Sequence, residues 1–95
     1  MHIKEFQNLM RQLYFERDNE RGPKGTLDWL EDEFEELREA LEEGDINAVK
    51  EEFADVLAWL ASLANLLDLD LEKAAISKYP NKCPKCKKKP CECQF

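Results

Sequence analysis

Ninety-five residues leave room for one domain, and a chain this short buries only about 60–65% of the surface it exposes when unfolded. With 43% hydrophobic and 37% charged residues and only three glycines, the composition excludes a disordered chain and points to a helical one. The net charge of −7 disfavours nonspecific nucleic acid binding, and no run approaches the ~20 apolar residues of a membrane span.

In chain order, residues 3–20 form the first predicted helix, with Ile3, Phe6, Leu9, Met10 and Leu13 at three- and four-residue steps and Tyr14 widening the face. Its opening, Met1-His2-Ile3-Lys4-Glu5, turns acidic at once and has no apolar core of a signal segment, so the cytoplasm is the expected location. Gly22-Pro23-Lys24-Gly25 is expected to break the helix as a loop. It lacks the spacing of a phosphate-cradling loop, whereas Arg17, Arg21 and Lys24 are candidate side-chain contacts to phosphate or to the acidic helices.

Thr26 is the expected N-cap of a second helix, whose apolar positions are Leu27, Leu30, Phe34, Leu37 and Leu41. Trp29 stands off that stripe and is suited to core or interface packing. Gly44 stops the helix and Asp45 caps a third one over residues 46–67. From Val56 to Leu67 that helix carries no charge, and the first two helices plus a short fourth one would hardly surround it. A second subunit is therefore expected to cover it, while Asn65, its strong polar group, needs a partner if buried. Asp70 caps a short fourth helix over 71–78, which Pro80 ends through its effect on Tyr79. The expected fold is all-α: about four helices in a bundle over residues 1–81, completed by dimerisation, then a cysteine- and lysine-rich tail over 82–95.

Two pieces of the second and third helices repeat one another at an offset of 19: Asp32-Glu33-Phe34-Glu35-Glu36 and Glu51-Glu52-Phe53-Ala54-Asp55. Leu30, Phe34 and Leu37 fall on Val49, Phe53 and Val56, and at 100° per residue each set makes a narrow stripe with Glu33 or Glu52 on its border. If the helices pack through those stripes, Glu33, Glu36, Glu52 and Asp55 converge. Four acids in one cleft repel, and a hard cation such as Mg²⁺ or Mn²⁺ relieves that repulsion with the oxygen ligands on offer. The same i,i+3 acids also arise as plain solvated surface in so acidic a chain.

The tail reads Cys83-Pro84-Lys85-Cys86-Lys87-Lys88-Lys89-Pro90-Cys91-Glu92-Cys93 and holds all four cysteines. Five lysines against Glu92 make residues 82–95 +4, leaving the body at −11. Cys83, Cys86, Cys91 and Cys93 form a candidate structural Zn²⁺ knuckle, with a labile disulfide pair or a frayed tail as the alternatives.

These residues resemble the MazG-like all-α nucleoside triphosphate pyrophosphohydrolases over roughly residues 14–81. The likeness is carried by Glu33-x-x-Glu36, fifteen intervening residues and Glu52-x-x-Asp55, with Gly25-Thr26-Leu27-Asp28-Trp29-Leu30 leading in. Asp55-Val56-Leu57 opens the apolar half of the third helix, and Arg17-Asp18 and Arg21-Gly22 are similar to a shorter subgroup. The resemblance implies Mg²⁺ held by Glu33, Glu36, Glu52 and Asp55 at a triphosphate, cleavage between the α and β phosphates, and assembly as dimers or dimers of dimers. Asp32 stands where many members have a further Glu. Lys78 and Asn81, with Pro80 between them, are the nearby matches to a family Lys and Asn near the triphosphate, which makes Lys78 a catalytic candidate. The tail lies outside that common core. A helical interaction module with a zinc tail and no catalysis is the competing function, and phosphoribosyl-ATP pyrophosphohydrolysis a third.

Overall fold

In a computed structural model that describes residues 1–94, the chain forms three helical elements: α1 (Ile3–Glu43), α2 (Ile46–Leu66) and α3 (Leu71–Lys78). The expected four helices become three because the junction at residues 22–25 contains no loop. Gly22 alone leaves helical geometry, at φ 82 and ψ 169, and Pro23 begins the second limb of α1 directly. Those dihedrals belong to a region that essentially only glycine occupies. Proline suits the start of a helical limb because it has no N–H to leave unpaired there. Thr26, expected as a cap, is instead fully buried inside the second limb, and its hydroxyl accepts a hydrogen bond from Arg21 Nη1 at 3.3 Å.

The remaining boundaries follow local chemistry. Gly44 ends α1 at φ 74, its N–H donating to the carbonyls of Ala40 and Leu41. Asp45 Oδ1 accepts from the amides of Asn47 and Ala48, and Asp70 Oδ1 accepts from that of Lys73. Each carboxylate thus pairs donors that the first turn of a helix leaves free.

Both limbs of α1 pack on α2. The first limb crosses the C-terminal half of α2, bringing Gln7 to Asn65 and Arg21 to Trp59. The second limb packs along α2 from Trp59, on which Trp29 stacks at 5.6 Å and 8° between the rings, to Glu52, whose carboxylate comes near that of Glu33. Asn65 finds its expected partner inside the protein. Gln7 Nε2 donates to Asn65 Oδ1 at 3.0 Å and to the carbonyl of Leu69 at 2.7 Å, while Asn65 Nδ2 donates to the carbonyl of Gln7 at 3.1 Å. Gln7 Oε1 also accepts from the amide of Leu71, so one buried glutamine ties the start of α3 to α1 and α2.

The contact between the second limb and α2 is rotated from the expected one. The covered row on α1 is Thr26, Leu30, Glu33, Leu37 and Ala40, and on α2 it is Val49, Glu52, Val56 and Trp59. Phe34 and Phe53, expected at the stripe centres, are 50% and 60% exposed. The small side chain of Ala40, buried where the neighbouring Leu41 is exposed, lets the backbones approach along the row that contains the glutamates. Glu33 and Glu52 therefore lie within the contact row and not merely at its border. Among the described residues no helix is long and apolar enough to cross a membrane.

Candidate metal centre and its groove

The 3–4 spacing that puts Leu30, Glu33 and Leu37 on one row also sets Glu33 between two apolar neighbours, and Glu52 sits likewise between Val49 and Val56. One carboxylate oxygen from each of Glu33, Glu36 and Glu52 lies within 4.8 Å of the other two. Glu33 and Glu52 are half-buried, whereas Glu36 is exposed. Oε2 of Glu33 and Oε2 of Glu52 are buried and have no hydrogen-bond partner, an unfavourable state for an acceptor removed from water.

Electrostatics register the same crowding. Burial first, then contact with the Glu36 carboxyl and the charges of Glu36 and Asp55, push Glu33 up to about 7. Glu52 is also raised, by burial first and then by the charges of Glu36 and Asp55. The donor set is all hard oxygen, buried oxygens of Glu33 and Glu52 lack partners, and burial together with neighbouring charge favours the protonated form of both. These are properties that suit a hard divalent cation, which would displace those protons and satisfy the orphaned oxygens.

Asp55, the fourth expected ligand, is outside the gathered trio although its charge acts on Glu33 and Glu52. It is exposed and lines an adjoining groove with Met10, Tyr14, Arg17, Arg21 and Trp59. Lys78 is likewise not gathered with the carboxylates: it ends α3 with its ammonium 5.9 Å from the centre of the Tyr79 ring.

Tertiary structure adds Asp18 and Trp59, to which the sequence assigned no role at the site, and gives Arg21 and Trp29 their partners. Asp18 is 1% exposed; its Oδ1 accepts from Arg21 Nη1 at 2.9 Å, and its Oδ2 is buried without a partner. Arg21 also covers the face of Trp59, its guanidinium carbon 4.7 Å from the ring centroid. Trp59 thus carries both the Arg21 guanidinium and the Trp29 ring, and it lines the same groove as Asp55. The i,i+3 spacing of Asp18 and Arg21 was visible in sequence as an ion pair. Nothing local marked Trp59 as the surface on which both Arg21 and Trp29 would rest.

The tail gathers its four cysteines as a second cluster, with one sulfur from each within 4.8 Å of the others. All four are free thiols. The amide of Glu92 holds Cys86 down at about 6, whereas contacts with Cys91 and the other thiols push Cys93 up to about 12, so the cluster alone does not ionise as a whole.

A long broken helix packed against a second helix, with paired carboxylates at their contact, is the architecture of an all-α, metal-binding, hydrolase-like domain. The chain matches the family described as the MazG nucleotide pyrophosphohydrolase domain over residues 21–87, and it belongs to that family. The match contains all four expected carboxylates and reaches past the first two cysteines of the tail. No curated protein matches the chain.

Proposed function

We propose that this protein hydrolyses a nucleoside or deoxynucleoside triphosphate to the nucleoside monophosphate and pyrophosphate, using Mg²⁺ or Mn²⁺. The observation that carries this reading is the pair of buried, unpartnered oxygens on Glu33 and Glu52, converging with Glu36 from two helices. Family membership supports the reaction class. The functional domain is assigned to residues 1–81 and the cysteine tail to 82–95.

Glu33, Glu36 and Glu52 would hold the metal, and Asp55, one helical turn beyond Glu52, would complete the set from the groove side. The chemistry that a divalent ion would supply there is positive charge against the phosphate oxygens, which favours departure of pyrophosphate. One carboxylate can serve the attacking water instead of the metal, and Glu36, the most solvent-accessible of the trio, is the one proposed to orient or deprotonate it. Tyr14 and Trp59 offer the groove aromatic surface, and exposed Arg17 offers it a cation for a phosphate. Arg21 is already engaged by Asp18 and Trp59 and serves to shape the groove wall. Lys78 is assigned a weaker contact to the triphosphate, supported by its match to the family lysine.

The protein is further proposed to work in the cytoplasm as a homodimer or dimer of dimers. The partner was expected over Val56–Leu67, but Ala61, Ser62, Ala64 and Asn65 of that run are buried within the chain, so Phe34, Leu41, Ile46 and Phe53, all at least half exposed, are proposed as the apolar residues for that assembly.

Hydrolysis in ¹⁸O-labelled water tests the reaction directly. Label is expected in the nucleoside monophosphate and not in pyrophosphate, with activity abolished by EDTA and restored by Mg²⁺. Orthophosphate as the primary product, or full activity in EDTA, overturns the proposal. A panel of common, deoxy, oxidised and methylated nucleotides then identifies the base and sugar.

A further inference from the structure

Residues 79–94 contain no helix, and none of their side chains is buried. Three main-chain hydrogen bonds join residues within the stretch: Asn81 to Tyr79, Cys83 to Lys88, and Lys87 to Cys83. A segment this short, without an apolar core, ordinarily requires a covalent or metal staple to hold one conformation. The four sulfurs nevertheless converge.

Their spacing is specific. Sγ of Cys83 lies 3.7 Å from that of Cys93, and Sγ of Cys86 lies 3.9 Å from that of Cys91. Ligands at Zn–S distances of about 2.3 Å in a regular tetrahedron stand about 3.8 Å apart, so both pairs fit edges of that polyhedron. A disulfide would require about 2.05 Å.

Backbone amides point at three of the four sulfurs, as they do toward metal-bound thiolates. The amides of Lys85, Glu92 and Cys93 donate to the sulfurs of Cys83, Cys86 and Cys91 at 3.4, 3.3 and 3.3 Å. Lys87 adopts a left-handed conformation, φ 64, that folds the loop between the two cysteine pairs, and its Nζ donates to the carbonyl of Pro84. Lys89 Nζ donates to Asn81 Oδ1. Lys82, Lys85 and Lys88 are exposed around the cluster. Four thiolates and one Zn²⁺ carry −2, which the surrounding lysines offset.

We infer that Cys83, Cys86, Cys91 and Cys93 bind one Zn²⁺ in a closed tetrathiolate centre that serves as the core of the tail. It is separate from the carboxylate centre in position and in chemistry, since soft thiolates select zinc and carboxylates select hard ions. Four protein ligands leave no position for water, so the role is structural. Because the tail has no other core, metal binding and tail folding are one equilibrium.

The test uses the full chain purified under reducing conditions, with zinc measured by elemental analysis and the tail followed by NMR. One zinc per chain is expected. Cobalt in its place should give the intense thiolate-to-metal and ligand-field bands of a tetrahedral tetrathiolate site. A chelator strong enough to remove zinc should collapse the amide dispersion of residues 83–93 and leave the signals of α1 and α2 in place. The Cys86→Ser, Cys91→Ser double variant should lose zinc and retain its helical circular dichroism. The Glu33→Gln, Glu52→Gln variant should keep its zinc, which separates this centre from the proposed active site and makes the result independent of catalysis. Substoichiometric zinc, iron in place of zinc, zinc retained by the cysteine variant, or zinc lost from the glutamate variant would each overturn the inference.

Discussion

Glu33 and Glu52 meet across the contact between the two long helices, each with one carboxylate oxygen buried and unpartnered. Two acids held this way oppose folding in the absence of a cation, because burial and the nearby charges of Glu36 and Asp55 raise the proton affinity of both. Glu33→Gln nearly preserves shape and removes one charge from the cluster. Turnover is expected to fall by two or more orders of magnitude, whereas thermal stability in metal-free buffer at pH 8 is expected to rise. Parallel steady-state kinetics and thermal melts check both halves, and near-normal turnover in the Glu33, Glu52 and Asp55 variants alike would return these acids to solvated surface.

The shift of Glu33 has a definite pH signature. Its pKa is 4.5 in the ordinary state and about 7 in the fold, so between those values the folded chain holds a proton that the unfolded chain has released. The stabilising contribution is therefore complete below about pH 4.5 and is lost as pH rises through about 7. Denaturant titrations without metal should show stability declining across that window, less steeply in Glu33→Gln. Mg²⁺ should act in the opposite sense, with affinity rising as pH passes 7 and the carboxyl is freed. A metal-free stability that is flat from pH 5 to 7.5 in both proteins would contradict the assigned environment.

Gln7 and Asn65 share one buried network, so their contributions should not add. Asn65→Ala removes an acceptor for Gln7 Nε2 and a donor to the Gln7 carbonyl, and is expected to destabilise by about 1–3 kcal/mol. Gln7→Ala also frees the Leu71 amide and the Leu69 carbonyl, loosening α3. The double variant should lose less than the sum of the two, which a double-mutant cycle of denaturant midpoints measures.

Gly22 holds the break in α1 by its backbone alone. A Cβ there would meet nothing within 4 Å, yet φ 82 with ψ 169 is a conformation that alanine resists. Gly22→Ala should destabilise the protein by about 1–3 kcal/mol without any steric clash, and should shift the NMR signals of Asp18, Arg21 and Thr26 around the break. A neutral effect on stability would show that the two limbs tolerate another geometry.

Phe34 and Phe53, displaced from the helix contact by its rotation, are 50% and 60% exposed. If they lie in the proposed dimer interface, Phe53→Asp should shift sedimentation from dimer to monomer and leave the helical signal largely intact. A monomer for the unmodified chain at micromolar concentration would refute the assembly.

Much of the protein could be read from local chemistry. Asp45, Asp70 and Gly44 set the helix ends where expected because capping involves only neighbouring residues. The two carboxylate pairs were legible because their spacing recurs with the same apolar neighbours, and the cysteines because thiols so close in sequence can meet only one another. Tertiary packing decided the rest. A row of 30, 33, 37 and 40 and a row of 30, 34, 37 and 41 are both helical stripes, and only the approach of α2 against Ala40 selected the first. That rotation of a single step put Glu33 and Glu52 inside the contact and Phe34 and Phe53 outside it. The same approach stacked Trp29, Trp59 and Arg21, whose partners lie 30 and 38 positions apart in the chain. Helical periodicity specifies which residues share a face; which face is buried depends on the shape of what packs against it.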